Sequence, residues 1–93
     1  MEQASQEAKR KVLQDIEHNM EMEVYYGSKV LRTPIEDSAE DRRLETMYTE
    51  RRLNSVALAK KMGISKEEIN DAKDRGFDKA YDAIEEADNQ GWQ

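Results

Sequence analysis

Apolar residues recur at intervals of three and four along most of this chain, and that spacing is typical of amphipathic α-helices. At 100° per residue, those of the first segment, from about Gln6 to Tyr25, fall within one arc of roughly 120°. They are Val12, Leu13, Ile16, Met20 and Val24. Only one proline and four glycines interrupt the chain. The sequence therefore predicts an all-α fold, a small bundle of three or four helices.

The stretch around residues 27–33 separates the first helical segment from the second. Glycine is common just after a helix and proline is common in the first turn of one, so Gly27 indicates a helix end and Pro34 a helix start. Thr33 and Glu36 have the spacing of a capping box around that proline. We therefore expect an extended connector over residues 27–33, which is also the candidate hinge of the chain.

The second helical segment begins at Pro34 or Ser38 and ends at Met62. Its apolar stripe is interrupted in the middle by polar and charged residues. Asn54 and Ser55 are both favourable residues for the start of a helix. Two interpretations follow: one continuous helix, or a break near Asn54 and Ser55 that would give the bundle a fourth helix.

The third helical segment begins at Ser65 and carries a stripe made mostly of small residues. A face of small residues lets two helices approach closely. Gly76 costs about 1 kcal/mol inside a helix relative to Ala, so we expect either a bend or a tightly crossing neighbour at that position. The stripe consists of Ile69, Ala72, Gly76, Phe77, Ala80, Ala83, Ile84 and Ala87.

The turn between the second and third segments has a complete set of local signals. Gly63 suits the left-handed position just after a helix end. Ser65 and Glu68 have the spacing of a capping box, and Ile64 and Ile69 have that of a hydrophobic staple. These residues alone predict a short turn between two helices, with both helix ends capped by local contacts.

Residues 55–74 also resemble a helix-turn-helix, with Ala59 at the small position, Gly63 at the turn and Ile69 at the buried position of the second helix. The resemblance implies a DNA-binding regulator as the alternative function. Its DNA-contacting residues would be Arg51, Arg52, Lys60, Lys61, Lys66, Asn70 and Lys73. Against it, the would-be reading helix, residues 65–76, has three basic and four acidic residues, whereas DNA phosphates and base edges favour basic and amide side chains.

The large aliphatic content is low, because only fifteen of the 93 residues are Leu, Ile, Val or Phe. Charged chains below roughly 20% of these residues tend towards disorder, so the core must be thin. We expect one helical domain over residues 1–93, with flexible ends at about 1–5 and 89–93. A second copy of the chain would supply the missing apolar contacts, and we therefore expect a homodimer.

Five residues beside the connector lie mostly away from the main apolar stripe and are predicted to form the partner or dimer interface. Tyr and Met are favoured in interface cores because they bury much area and adapt to a partner. The alternative is that this segment folds back over its own bundle. The five residues are Met22, Tyr25, Tyr26, Val30 and Leu31.

The net charge of −6 disfavours nucleic acid as a partner over most of the surface. Residues 67–88 alone hold nine acidic residues against three basic ones. A helix of that composition is usually a solvated face, and the other interpretation is an acidic mimic of nucleic acid.

Reactive chemistry is sparse. The chain has no cysteine and one histidine, His18, and it has neither a phosphate-binding glycine loop nor a zinc pattern. We expect no enzymatic activity, no cofactor and no metal. With no signal peptide and no apolar run of about 20 residues, we expect a cytoplasmic protein that contacts no membrane. The prediction is an acidic helical protein–protein interaction module of bacterial or phage type, a regulator or inhibitor of another protein.

Overall fold

The computed structural model describes residues 5–89, and within that range the chain is all-α. The helices are α1 (Gln6–Arg32), α2 (Ala39–Lys61) and α3 (Lys66–Asn89), with one 3₁₀ turn, Ile35–Asp37, between α1 and α2. The predicted all-α bundle is confirmed, with three α-helices in the described range. The end residues 1–4 and 90–93, predicted to be flexible, lie outside the described residues.

The predicted extended connector over residues 27–33 is wrong, because α1 continues through this stretch to Arg32. The helix ends at Thr33, which has φ −110° and ψ 140°, since a residue before proline avoids the helical conformation. Thr33 is therefore the C-cap of α1 and not the start of a capping box. Contacts with α2 favour the longer helix: Lys29 Nζ lies 3.6 Å from Asp41 Oδ1.

α2 starts after the buried Ser38, whose hydroxyl donates to the carbonyl oxygen of Ile35 at 3.1 Å. It runs without interruption past Asn54–Ser55, so the interpretation with a break at that point is wrong. Leu53 and Leu58 lie on this continuous helix and remain 54% and 48% exposed. Neither Asn54 nor Ser55 starts a new helix, and α2 ends at Lys61, shortly before Gly63 with its positive φ.

The turn between α2 and α3 has the predicted form. Gly63 has φ +80°, and the Ile64 amide donates to the carbonyl oxygen of Ala59 at 3.0 Å. The Glu68 amide donates to Ser65 Oγ at 3.1 Å, and the Ser65 amide donates to the Glu68 carboxylate at 3.3 Å. Both helix ends are therefore closed by local hydrogen bonds, and the capping box is confirmed.

α1 is the central helix of the bundle, and both α2 and α3 pack along it while making few contacts with each other. α2 runs antiparallel to α1, and α3 runs parallel to it. The molecule is elongated, with extents of 52 × 25 × 17 Å. The ion pairs that show these directions are Lys29–Asp41 and Glu23–Arg52 for α2, and Glu17–Arg75 and Arg32–Asp88 for α3.

The buried core lies at one end of the bundle, next to the α2–α3 turn. Towards the other end the burial decreases, and every residue of α1 from 20 to 30 is only half-buried. The second half of α1 is thus incompletely covered by its two neighbours. The core consists of Val12, Ile16, Ala59, Ile64, Ile69 and Ala72.

Gly76 lies where α3 packs closely on α1. A Cβ atom at Gly76 would overlap the carbonyl oxygen of Glu17 and would lie 2.9 Å from Cβ of Met20. The tight crossing predicted from the small-residue stripe is therefore confirmed. Because α3 turns Ala72, Gly76 and Ala80 towards α1, its large side chains are left beside the contact and not within it.

Candidate functional site

An open groove runs between the second half of α1 and α3, and we call it the apolar groove. Its volume is about 510 Å³. Residues from both helices line it because α3 approaches α1 through small residues, which leaves the larger neighbours at the edge of the contact. The apolar lining consists of Val24, Val30 and Leu31 from α1, and Phe77, Tyr81 and Ile84 from α3.

Several of the exposed large apolar side chains lie in the apolar groove. Leu31 is 88% exposed, Tyr81 59% and Phe77 40%, and these are three of the six exposed large apolar residues in the described range. Single exposed apolar residues are normal on a protein surface, but a contiguous group usually marks a binding site. The apolar groove is therefore the strongest candidate site on the described surface.

Charged groups lie at the rim of the apolar groove. The Arg32 guanidinium, which lines the groove, binds both carboxylate oxygens of Asp88, with Nη2 at 3.1 Å from Oδ2. Glu45 of α2 reaches the same rim. A paired arginine and a carboxylate define a polar border, which is the usual surrounding of an apolar binding surface.

A second depression, which we call the basic hollow, lies between the end of α2 and the start of α3. It has a volume of about 250 Å³. Three lysines and an asparagine surround an apolar floor, in a chain whose net charge is −6. The polar residues are Lys60, Lys66, Asn70 and Lys73, and the floor is formed by Val56, Ile64 and Ile69.

The five residues of the predicted interface fall on two different surfaces. Val30 and Leu31 line the apolar groove. Met22, Tyr25 and Tyr26 line a separate depression of about 430 Å³ with Ala83, Glu86 and Ala87 of α3. The helical extension of α1 causes this split, because Val30 and Leu31, expected in the extended connector, lie instead on the same helix as the other three residues but on a different side of it.

Part of the predicted interface is engaged within the molecule. The ring of Tyr26 stacks on that of Tyr48 in α2, with centroids 6.0 Å apart and planes 5° apart. Tyr25 packs edge-on against Tyr26 with centroids at 5.3 Å, and Lys29 lies 5.7 Å from the Tyr26 centroid. These contacts join α1 to α2 and leave both tyrosines half-buried.

The residues of the alternative DNA site are only partly brought together. Lys60, Lys66, Asn70 and Lys73 form the polar part of the basic hollow. Arg51 lies nine residues before Lys60, which is two and a half helical turns and therefore the opposite side of α2. Arg51 packs over the Tyr48 ring at 5.5 Å, and Lys61 is exposed at the end of α2.

Arg52, the remaining residue of that set, is bound by a carboxylate of α1. Its Nε lies 2.5 Å from Oε1 of Glu23, and the Thr49 hydroxyl donates to the same carboxylate at 2.7 Å. Burial raises the pKa of Glu23, but the hydrogen bonds from Arg52 and Thr49 outweigh burial and the pKa is lowered overall. Arg52 therefore serves the α1–α2 contact.

Glu17 performs the same role between α1 and α3. Hydrogen bonds from Lys79 and then Arg75 lower the pKa of Glu17 below its ordinary value. The Arg75 Nε atom lies 2.9 Å from Glu17 Oε1, and Lys79 binds the other oxygen. These charges stabilise the helix contact beside Gly76.

The sequence pattern places Phe77 and Ile84 in the core-facing stripe and gives no separate indication for Tyr81. The spacing that relates the three residues is visible in the sequence: Phe77, Tyr81 and Ile84 follow each other at four and three residues and so share one face of α3. That face shares Phe77 and Ile84 with the predicted stripe and lies beside its small residues Ala72, Gly76 and Ala80. Only the contact at Gly76 shows which of the two faces meets α1.

In residues 5–89, no group of three or more His, Asp or Glu side chains is arranged to hold a metal ion. None of the helices described has an apolar stretch long enough to cross a bilayer. In comparisons with known proteins, the chain matches no family model, no curated protein and no solved structure. The apolar groove and the basic hollow are therefore the features of the described surface that bear on function.

Proposed function

We propose that this chain is a protein–protein interaction module that binds a helical segment of another protein in the apolar groove and thereby regulates that protein. The observation that carries the proposal is the clustering of Leu31, Phe77 and Tyr81, all exposed, in one groove between parallel helices. An amphipathic helix binds such a groove by inserting residues spaced at three and four.

The balance between apolar burial and the cost of association favours a weak, reversible complex with the partner. Leu31, Phe77 and Tyr81 are already partly buried, so covering their exposed parts contributes roughly 3–6 kcal/mol. Association costs roughly 4–15 kcal/mol in lost translational and rotational freedom. The groove alone therefore supports weak binding, and selectivity must come from the polar groups around it. A module of this kind modulates a partner more readily than it holds one permanently.

Site-specific photo-crosslinking tests the proposal. A photoreactive phenylalanine derivative is placed at Tyr81 in the groove or, as the matched control, at Leu53, which is 54% exposed on α2 and outside the lining of the groove. After irradiation in nuclease-treated bacterial lysate, we expect a protein adduct from position 81 and none from position 53. Equal adducts at both positions, or none at 81, would contradict a groove-specific partner.

The expected homodimer is a separate prediction. Sedimentation of the 10.8 kDa chain at increasing concentration measures it directly, and a chain that stays monomeric removes it. If a dimer forms through the apolar groove, Leu31→Asp is expected to dissociate it while helical circular dichroism is retained, because Leu31 is 88% exposed. In the crosslinking experiment, a self-adduct at position 81 would identify a second copy as the occupant of the groove.

A further inference from the structure

The apolar groove and the basic hollow lie on one face of α3. Lys66, Asn70 and Lys73 of the hollow are followed at the same three- and four-residue spacing by Phe77 and Tyr81 of the groove. Residues at that spacing are neighbours on a helix surface, about 5–6 Å apart between Cβ atoms. From Lys66 to Ile84 this face is about 27 Å long at 1.5 Å per residue. A single ligand helix lying along α3 would therefore contact both surfaces.

The lysines of the hollow are available to such a ligand. None of Lys60, Lys66 and Lys73 forms an ion pair within 4.0 Å with any residue of the described range. Arg52 and Arg75, by contrast, are each bound by a glutamate. The three positive charges are thus not held by a direct ion pair in the described range, although Lys73 is close enough to Glu23 to help lower the pKa of that carboxyl.

The surroundings of the hollow favour a compact acidic group over a nucleic acid. Glu67, Asp71 and Asp74 are exposed on the adjoining side of α3, and they would repel a phosphate backbone that continues beyond the lysines. A small number of carboxylates fits the space without approaching these acids. The floor of Val56, Ile64 and Ile69 also suits the aliphatic part of a glutamate side chain.

We propose that the helix bound by this protein carries acidic side chains at one end, which meet Lys60, Lys66 and Lys73, and apolar side chains along the rest, which fill the groove at Phe77 and Tyr81. The bound segment is about 18 residues long, matching the length of the α3 face. This inference rests on the proposed function, since it names the chemistry of the partner for the same groove. The charges select the partner and orient it, because ionic contacts contribute more to specificity and association rate than to affinity.

A selection from a phage-displayed library of 18-residue helix-forming peptides on the full chain tests the inference. We expect enriched peptides with Glu or Asp at one end and apolar residues at three- and four-residue spacing elsewhere. Replacing the three lysines of the hollow together by Ala should weaken a selected peptide about tenfold at low salt, and the loss should shrink as salt is raised. The matched control replaces three exposed basic residues outside the hollow by Ala: Arg10, Lys11 and Lys61.

The outcomes separate the two proposals. Peptides that lose binding in Tyr81→Asp but show no acidic bias and tolerate the lysine replacements would overturn the charge inference and leave the groove function standing. Peptides that bind Tyr81→Asp as well as wild type, or the absence of any enriched helix, would overturn both. A duplex oligonucleotide that displaces the selected peptide would assign the hollow to nucleic acid instead.

Discussion

Gly76 of α3 packs so closely on the carbonyl oxygen of Glu17 in α1 that the contact has no room for a Cβ atom. The overlap is with backbone, which cannot rotate away. The identity of one residue therefore sets the distance between two helices. The same contact determines which face of α3 carries the exposed aromatic side chains.

Two glycine replacements separate crowding from helix propensity. Gly76→Ala should destabilise the fold by up to about 2 kcal/mol, because an overpacking cost of about 1–3 kcal/mol exceeds the roughly 1 kcal/mol gained in helix propensity. Gly27→Ala should instead stabilise it by about 0.5–1 kcal/mol, since its Cβ would meet only the end of the flexible Glu45 side chain, at 2.8 Å. Urea unfolding measures the free energy of unfolding of both variants. Destabilisation of equal size in both would contradict the close contact of Gly76 with α1.

The α2–α3 turn gives a second prediction. Gly63 has φ +80° and a Cβ there would meet no atom within 4 Å, so Gly63→Ala should cost about 1–2 kcal/mol through backbone conformation alone. Ser65→Ala should cost about 1 kcal/mol by removing the helix cap. Thermal unfolding reports both, and Ser55→Ala, in the uninterrupted part of α2, is the control expected to change little.

Stability should fall in acid through Glu17 and Glu23. Their pKa values in the folded chain lie below the ordinary value of 4.5, so their contribution is present above pH 4.5 and is lost as the pH falls through the lowered pKa values. Glu23→Gln should lower the free energy of unfolding at pH 7 and make its decrease between pH 5 and 3 less steep. Urea unfolding across that range measures the slope. Glu50→Gln, at an exposed residue of α2, should leave the slope nearly unchanged.

No sequence-specific duplex binding is expected at physiological salt. Of the seven residues in the alternative DNA site, Arg52 is bound by Glu23 and Arg51 lies on the opposite side of α2 from Lys60. Fluorescence anisotropy after selection on random duplexes measures this directly. A consensus sequence bound near ~10⁻⁸ M, as specific DNA-binding proteins show, would establish the helix-turn-helix interpretation instead.

Local signals in the sequence predicted local structure well. The turn at Gly63 and Ser65 was predictable because its hydrogen bonds join residues at most five positions apart. The predicted end of α1 is wrong because Gly27 is compatible with a helix, whereas the residue before Pro34 is the one at which the helical conformation is disfavoured. A glycine costs a helix only about 1 kcal/mol, which tertiary contacts easily offset.

The candidate site was less predictable because it depends on how α3 is rotated on α1. The small residues Ala72, Gly76 and Ala80 and the larger residues Phe77, Tyr81 and Ile84 lie side by side on α3, and periodicity does not show which set meets α1. The two halves of the predicted interface likewise became separated once α1 was a single helix through Val30 and Leu31. Both outcomes follow from packing between helices, which single-sequence patterns do not contain.

The central position of α1 also sets an order for folding. The α1–α2 contact joins residues close in the chain, such as Lys29 and Asp41, whereas the α1–α3 contact joins Glu17 to Arg75 across 58 residues. Closing the longer loop costs about 1 kcal/mol more entropy, so the α1–α2 hairpin should form first and α3 should dock last. The apolar groove exists only after that final step. A helix bound in the groove contacts both α1 and α3, and would therefore slow the first step of unfolding.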